Sequence, residues 1–244
     1  VLNLGGNFEG EAELLRKEAN AANGRILFSI TAGAKDSSGQ RVKNLLEELN
    51  ADGLDVSAIS VPRGTGFITG LQCGFPWKSD SWHQLADMDL AARLVAIKDT
   101  AFCEKLVTEA SEKPGLPPEE LFWMGTESQP DYLGSKSLSA MAEDAGEHPA
   151  QTYLRLARET DGLGLFTMQF FNKNLKALAN LFSSDHCLPG LGDAGAHVGQ
   201  VMDSGWSTFV LTHWHKRAQL FSLPEAIHKL TAAPARILGL SDRG

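Results

Sequence analysis

The chain has 244 residues, 43% of them apolar and 21% charged, with a formal net charge of -8. This composition excludes an intrinsically disordered chain and supplies enough apolar material for a sizeable core. The acidic balance argues against a nucleic-acid partner, which needs a basic face, and favours a soluble protein with a small-molecule substrate.

From Glu9 to Asn23, Ala12, Leu15, Ala19 and Ala22 recur at helical spacing, and Asn23-Gly24 supplies a stop. Arg25 to Ile30, RILFSI, reads as a buried strand. Arg41 to Leu49 sets Val42, Leu45, Leu46 and Leu49 on one helical face, and Val56 to Val61 reads as the next strand. From Pro62 to about Pro118 the pattern loosens into a long excursion that holds PRGTGFITGLQCGFPW and helices around Leu90 to Ile97 and Ala101 to Ala110. Connections of this length in a compact domain are usually functional. The alternation resumes with strand Leu121 to Thr126, helix Pro149 to Thr160, strand Leu163 to Phe170, helix Asn172 to Phe182 and a short strand around His186 to Leu191.

Five strands alternating with helices predict βαβ units, a parallel sheet and the α/β class. An open doubly wound sheet and a (β/α)8 barrel both fit, and both gather ligand sites at the carboxyl ends of the strands. Cys73, Cys103 and Cys187 are scattered and form no CxxC pair, so they read as reduced thiols of a cytoplasmic protein. No run of about 18 apolar residues is present to cross a bilayer, and no membrane partner is expected. The chain opens inside a βα pattern without an initiator Met and stops at LGLSDRG, so it is expected to be a fragment of a longer protein.

The stretch HCLPGLGDAGAHVGQVMD carries most of the chemistry. An apolar strand runs into Gly192, Asp193, Ala194, Gly195, Ala196 and His197, presenting a carboxylate among small residues that allow close approach of backbone and substrate. Asp193 can hold a metal-bound water and shuttle its proton, or it can be a turn or capping residue. His197, four residues on, can serve the same pocket as proton carrier or ligand, or be a hydrogen-bonded turn histidine. His186 lies near the opposite end of the strand.

Gly190, Gly192 and Gly195 spell a dinucleotide fingerprint, but no second strand follows and the nucleotide reading is rejected. His213-Trp214-His215 has the spacing of a metal pair on a strand. Trp206, Phe209, Val210 and Trp214 recur at helical spacing, however, and residues two apart on a helix diverge by about 200°. Arg63, in the PRGTG loop after a strand, can clamp a substrate carboxylate with its planar fork or be a solvated loop arginine. Glu127 and Gln169 close strands at further mouth positions. No G-x-S-x-G elbow occurs, and no cysteine has an evident histidine partner.

LGDAGAHV, followed by WSTFVLTHW and LTAAPARILGLSDRG, resembles the last barrel strand and closing helices of the amidohydrolase superfamily, in its branch of D-aminoacylases and N-acyl-D-amino-acid deacylases. ISVPRGTGFITGLQCGFPW and LADMDLAARLVAIKD resemble the family's loop and helix between two barrel strands. The resemblance covers about Gly24 to Gly244. It implies that the chain is the C-terminal portion of a TIM-like (β/α)8 metal-dependent hydrolase barrel, a single domain over 1–244 with 62–118 as a loop region over the mouth.

It further implies a divalent metal, usually zinc, and Asp193 as general acid and base; Arg63, His197 and Gly192 are expected toward the substrate from their positions in the sequence. The family's H-x-H metal pair is missing here, and no histidine closes RILFSI or VSAISV. The main metal ligands are therefore expected in an N-terminal segment that also supplies the remaining strands, with Asp193 as a further candidate ligand. A homo-oligomer or a complementing polypeptide is the expected partner. The expected activity is hydrolysis of the amide of N-acyl D-amino acids or related amides. A deaminase or lactonase of the same superfamily, or a non-catalytic barrel acting as a binding or assembly subunit, are the alternatives.

Overall fold

A computed structural model describes residues 8–22, 24–131, 136–192, 201 and 204–244. The chain opens with helix α1 (Phe8–Ala22), strand β1 (Ile26–Ser29), helix α2 (Asp36–Ala51) and strand β2 (Val56–Ser60). Strand β3 (Thr65–Gly70) follows, then helices α3 (Asp80–Ala86), α4 (Leu90–Ala96) and α5 (Thr100–Glu112). Next come β4 (Leu121–Thr126), β5 (Gln129–Pro130), α6 (Leu138–Ala145), α7 (Pro149–Glu159) and β6 (Leu165–Phe171). The chain closes with α8 (Leu175–Phe182), β7 (Cys187–Pro189), α9 (Trp206–Phe209), a π-helical stretch (Val210–Arg217), α10 (Leu223–Leu230) and α11 (Ala232–Ile237).

Two compact units divide these elements. The first comprises 1–65, 170–196 and 203–244; the second comprises 66–169 and 197–202 and interrupts the first in sequence. In the first, β1, β2 and β7 form a parallel sheet in the order β1-β2-β7. Ile26 pairs with Val56 and Ser29 with Ile59, while Ala58 pairs with Cys187 and Ser60 with Pro189. Helix α2 buries Val42, Leu45, Leu46 and Leu49, the face its spacing predicts, and α8 buries Ala177, Leu178, Leu181 and Phe182. These side chains close one core over Phe28, Ala58 and Cys187.

Helices α2 and α8 approach so closely that a Cβ at Gly39 would stand 1.7 Å from the Ala177 carbonyl oxygen. Asn174 caps α8 by accepting from the Lys176 and Ala177 amides, and its amide donates to the Ala34 carbonyl and Asp36. One side chain therefore satisfies orphan donors of α8 and ties them to the start of α2.

The second unit carries a sheet in the order β3-β6-β4-β5. Here the structure corrects the expectation of five parallel strands. Strand β4 runs antiparallel to β6, with Leu121 opposite Met168 and Gly125 opposite Leu165, and antiparallel to β5. Strands β1, β2 and β7 are paired in parallel, and neither sheet closes on itself among the described residues. Apolar strand runs do not encode sense, and antiparallel pairing is equally available to them. The core of this unit is aromatic: Trp77, Trp82, Tyr153 and Phe166 are buried, with Trp77 and Trp82 ring centroids 4.6 Å apart. Arg93 binds four carbonyls, those of Leu71, Cys73, Leu85 and Ala86, and so fastens α4 to the end of α3 and to the turn after β3.

Candidate functional site at the strand ends

Parallel β1, β2 and β7 bring their carboxyl ends to one rim, where ligand sites of α/β sheets form. The ladder extends past the strands: the Ile30 amide donates to Ile59 and the Gly190 amide to Ser60. Asn172, directly after β6, is 1% exposed and adopts φ 55°, a left-handed conformation that Asn tolerates better than most residues. Its Oδ1 accepts from the Ala32 amide at 2.7 Å, and its Nδ2 donates to the Val61 carbonyl at 2.7 Å and to Ser60 Oγ at 3.2 Å. One buried amide thus joins the segments that leave β1, β2 and β6.

The next carbonyl, that of Pro62, accepts from Trp214 Nε1 at 2.6 Å. Arg63 follows at 8% exposure, with its guanidinium 5.7 Å from the centre of the Phe209 ring. The His213 ring stacks on the same phenyl ring at 4.7 Å and 17°. Burial, and secondarily the charge of Arg217, pulls the His213 pKa below its usual value, so the imidazole is neutral at pH 7. The solvated-loop alternative for Arg63 does not hold, because a guanidinium this buried needs partners to offset its lost hydration.

Leu191, between β7 and Gly192, is the other non-glycine residue in a left-handed conformation at this rim, with φ 66°. Gly192, the second residue of LGDAGAHV, is half-buried. Asp193 and His197 lie outside the described residues.

The other expected residues fall elsewhere. His186 precedes β7, its carbonyl accepting from the Ala58 amide, at the end of the sheet away from the rim. His213 and His215 stand in the π-helical stretch, so the segment is helical as its spacing predicts; His215 Nδ1 is 3.0 Å from the Phe221 carbonyl oxygen. Glu127 and Gln169 belong to the second unit. They follow β4 and lie in β6 respectively, and antiparallel pairing puts them at opposite ends of that pair. Burial raises Cys73 to about 11 and Cys187 to about 12, so neither is a thiolate nucleophile.

Among the described residues no three His, Cys, Asp or Glu side chains stand close enough to hold a metal ion. Nor is any described helix long and apolar enough to cross a membrane. The sequence pointed to Arg63 from its place after a strand, and the structure buries it. Asn172 was missed; the available signal was an asparagine directly after the apolar run LFTMQFF.

The described residues form a mixed α/β fold with one parallel sheet. No family model matches the chain, and no curated protein matches it. Among solved structures, it is similar to D-aminoacylase, described as defining a novel subset of amidohydrolases, with a TM-score of 0.52 at 16% identity. A second D-aminoacylase structure, from work on the role of its binuclear metal center, gives 0.51 at 16%, and an aspartate variant in complex with copper chloride gives 0.51 at 17%. Each match covers 99% of this chain and 42% of the other, so the chain spans about two fifths of the length of these proteins. At this identity the likeness establishes the fold. It falls on the branch that LGDAGAHV and LTAAPARILGLSDRG resemble.

Proposed function

We propose that this chain is part of a hydrolase that cleaves the amide bond of N-acyl D-amino acids or closely related amides. The observation that carries the reading is the agreement between the fold, similar to D-aminoacylase over 99% of the chain, and the sequence LGDAGAHV that comes after β7 and resembles the same branch. In this reading β1, β2 and β7 are neighbouring strands of a TIM-like barrel, and 66–169 is an insertion between its strands.

Asp193 comes shortly after β7 in the sequence and is the general acid and base of this reading. It takes the proton of the attacking water and returns it to the leaving nitrogen as the tetrahedral intermediate collapses. Arg63 binds the substrate carboxylate through its planar fork. Gly192 leaves room for the acyl group beside the backbone, and His197 contributes a polar contact to the substrate. Among the described residues no His, Cys, Asp or Glu cluster fits the zinc centre that the resemblance implies. The edges of β1 and β7 carry no further strand among the described residues, and unpaired edges of this kind recruit another chain or segment. A second copy or a complementing polypeptide completing the barrel in the cytoplasm belongs to the same reading.

Release of free D-amino acid from a panel of N-acyl D- and L-amino acids tests the function. Turnover that favours the D series and disappears in Asp193→Asn, with an unchanged circular dichroism spectrum and melting temperature, is expected. Turnover of lactones or amino-heterocycles instead would reassign the substrate class. Full activity of Asp193→Asn, or no turnover on any panel, would remove the assignment.

A further inference from the structure

Arg63 stands at the end of a backbone segment whose successive carbonyls are each taken by a different distant element. The Ser60 carbonyl accepts from the Gly190 amide at 2.9 Å, that of Val61 from Asn172 Nδ2 at 2.7 Å, and that of Pro62 from Trp214 Nε1 at 2.6 Å. Backbone in a loop is ordinarily solvated and mobile. Here three consecutive peptide groups are clamped by β7, the exit of β6 and the helix after α9. Two of the three clamps are buried side chains, Asn172 at 1% and Trp214 at 1% exposure.

Phe209, whose ring faces the Arg63 guanidinium, ends α9 directly before the stretch that supplies Trp214. Backbone and side chain of Arg63 are therefore fixed from two consecutive helical elements. Two-point recognition of a carboxylate by a guanidinium depends on the direction of its fork, so fixing the segment fixes what the fork can bind.

We propose that Asn172 and Trp214 are positioning residues for Arg63, holding it for the carboxylate of an acyl amino acid; the substrate half of this rests on the role given to Arg63 above. Neither side chain touches substrate in this scheme. Their contribution is orientation, and a misplacement of about 1 Å at such a group can cost up to about a hundredfold in rate or affinity.

The test reads Arg63 directly. The full chain is treated with phenylglyoxal, an arginine-selective dicarbonyl, and modification of each arginine is followed by mass spectrometry. Asn172→Gly removes the three side-chain bonds while leaving the left-handed backbone at ease, and Trp214→Phe removes one bond while keeping an aromatic ring. Both should speed modification of Arg63 by roughly fivefold or more, while Arg41, whose side chain is 55% exposed, reacts at the wild-type rate. Unchanged Arg63 reactivity in both variants overturns the inference. Equal acceleration at every arginine overturns it too, because it marks general loosening.

An N-acyl D-amino acid, but not its carboxamide, should protect Arg63 in the wild type and lose that protection in Asn172→Gly. Absence of protection in the wild type would remove the carboxylate-clamp reading of Arg63 and with it the substrate half of the inference, separately from the reactivity result. In the active enzyme, Asn172→Gly should raise KM about tenfold with kcat changed by less than about threefold, and a matched loss in both would assign Asn172 to the general fold instead.

Discussion

Asn172 reaches back 111 residues to donate a 2.7 Å hydrogen bond to the Val61 carbonyl, and it does so from a left-handed backbone that a branched or larger residue resists. Its removal has two separable consequences. Asn172→Ala leaves the Ala32 amide and the Val61 carbonyl without their partner and places alanine at φ 55°. Asn172→Gly loses the same bonds without the conformational cost. We expect Asn172→Ala to destabilise by about 3 kcal/mol, and the glycine variant by about 1 kcal/mol less. Urea denaturation of the two variants checks the order; equal midpoints would mean that the left-handed backbone costs nothing here.

Gly39 permits the approach of α2 to α8. A Cβ there would lie 1.7 Å from the Ala177 carbonyl oxygen and 2.7 Å from its carbon, both backbone atoms that cannot turn aside. Gly39→Ala should therefore separate the helices and destabilise by about 3 kcal/mol, despite the better helix propensity of alanine. Gly53 provides the control: its φ is 85° but an added Cβ meets nothing within 4 Å, so Gly53→Ala should cost only about 1 kcal/mol. Similar melting temperatures for the two variants would contradict the close crossing.

Much of this architecture was legible because the periodicity of α2, α7 and α8 and the apolar runs of β1, β2, β4 and β6 are local signals. Strand β3, TGFITG, was hidden by its glycines, which read as loop, and α3 by its short length. The division into one parallel sheet and a second sheet with antiparallel pairs was not legible, since Phe166 and Met168 are buried whether β6 runs with β4 or against it. At the rim, Arg63 announced itself by position. Asn172 did not, because its partners Ala32, Ser60 and Val61 are 140, 112 and 111 residues away and no local pattern records them.

Acid should act on the fold in two windows. Burial holds His148 and His213 below their usual 6.5, so folding disfavours their protonation. The unfolded chain binds more protons than the native one as pH falls below 6.5, and the stability these rings contribute is present above that value and lost below it. Glu109 is held down to about 2, first by the nearby Ser79 hydroxyl and then by the hydroxyl and amide of Ser81, which donate to it at 2.7 and 2.9 Å. Its contribution is complete above the unfolded value of about 4.5 and lost as pH falls toward 2. Melting temperature against pH should fall in both windows. Glu109→Gln should flatten the lower one alone, and an unaltered lower limb in that variant would assign the acid sensitivity to other carboxylates.

Leu191 offers a prediction in which stability and activity move in opposite directions. Its φ of 66° is a conformation that costs a non-glycine residue about 1 to 2 kcal/mol, and its side chain is 45% exposed, so packing returns little of that cost. Such conformations persist where the surrounding structure imposes them, and they gather at functional sites. Leu191→Gly relieves the backbone at the expense of a more flexible unfolded chain, for a net stabilisation of about 0.5 kcal/mol. Two residues later comes Asp193, the proposed acid and base. If the fixed turn at Leu191 sets the direction of that carboxylate, the glycine variant should melt higher yet turn over N-acyl D-amino acids several-fold more slowly, with the loss in kcat. Equal or faster turnover in the more stable variant would free the turn of any catalytic role and leave Leu191 as a local cost that the rest of the fold tolerates.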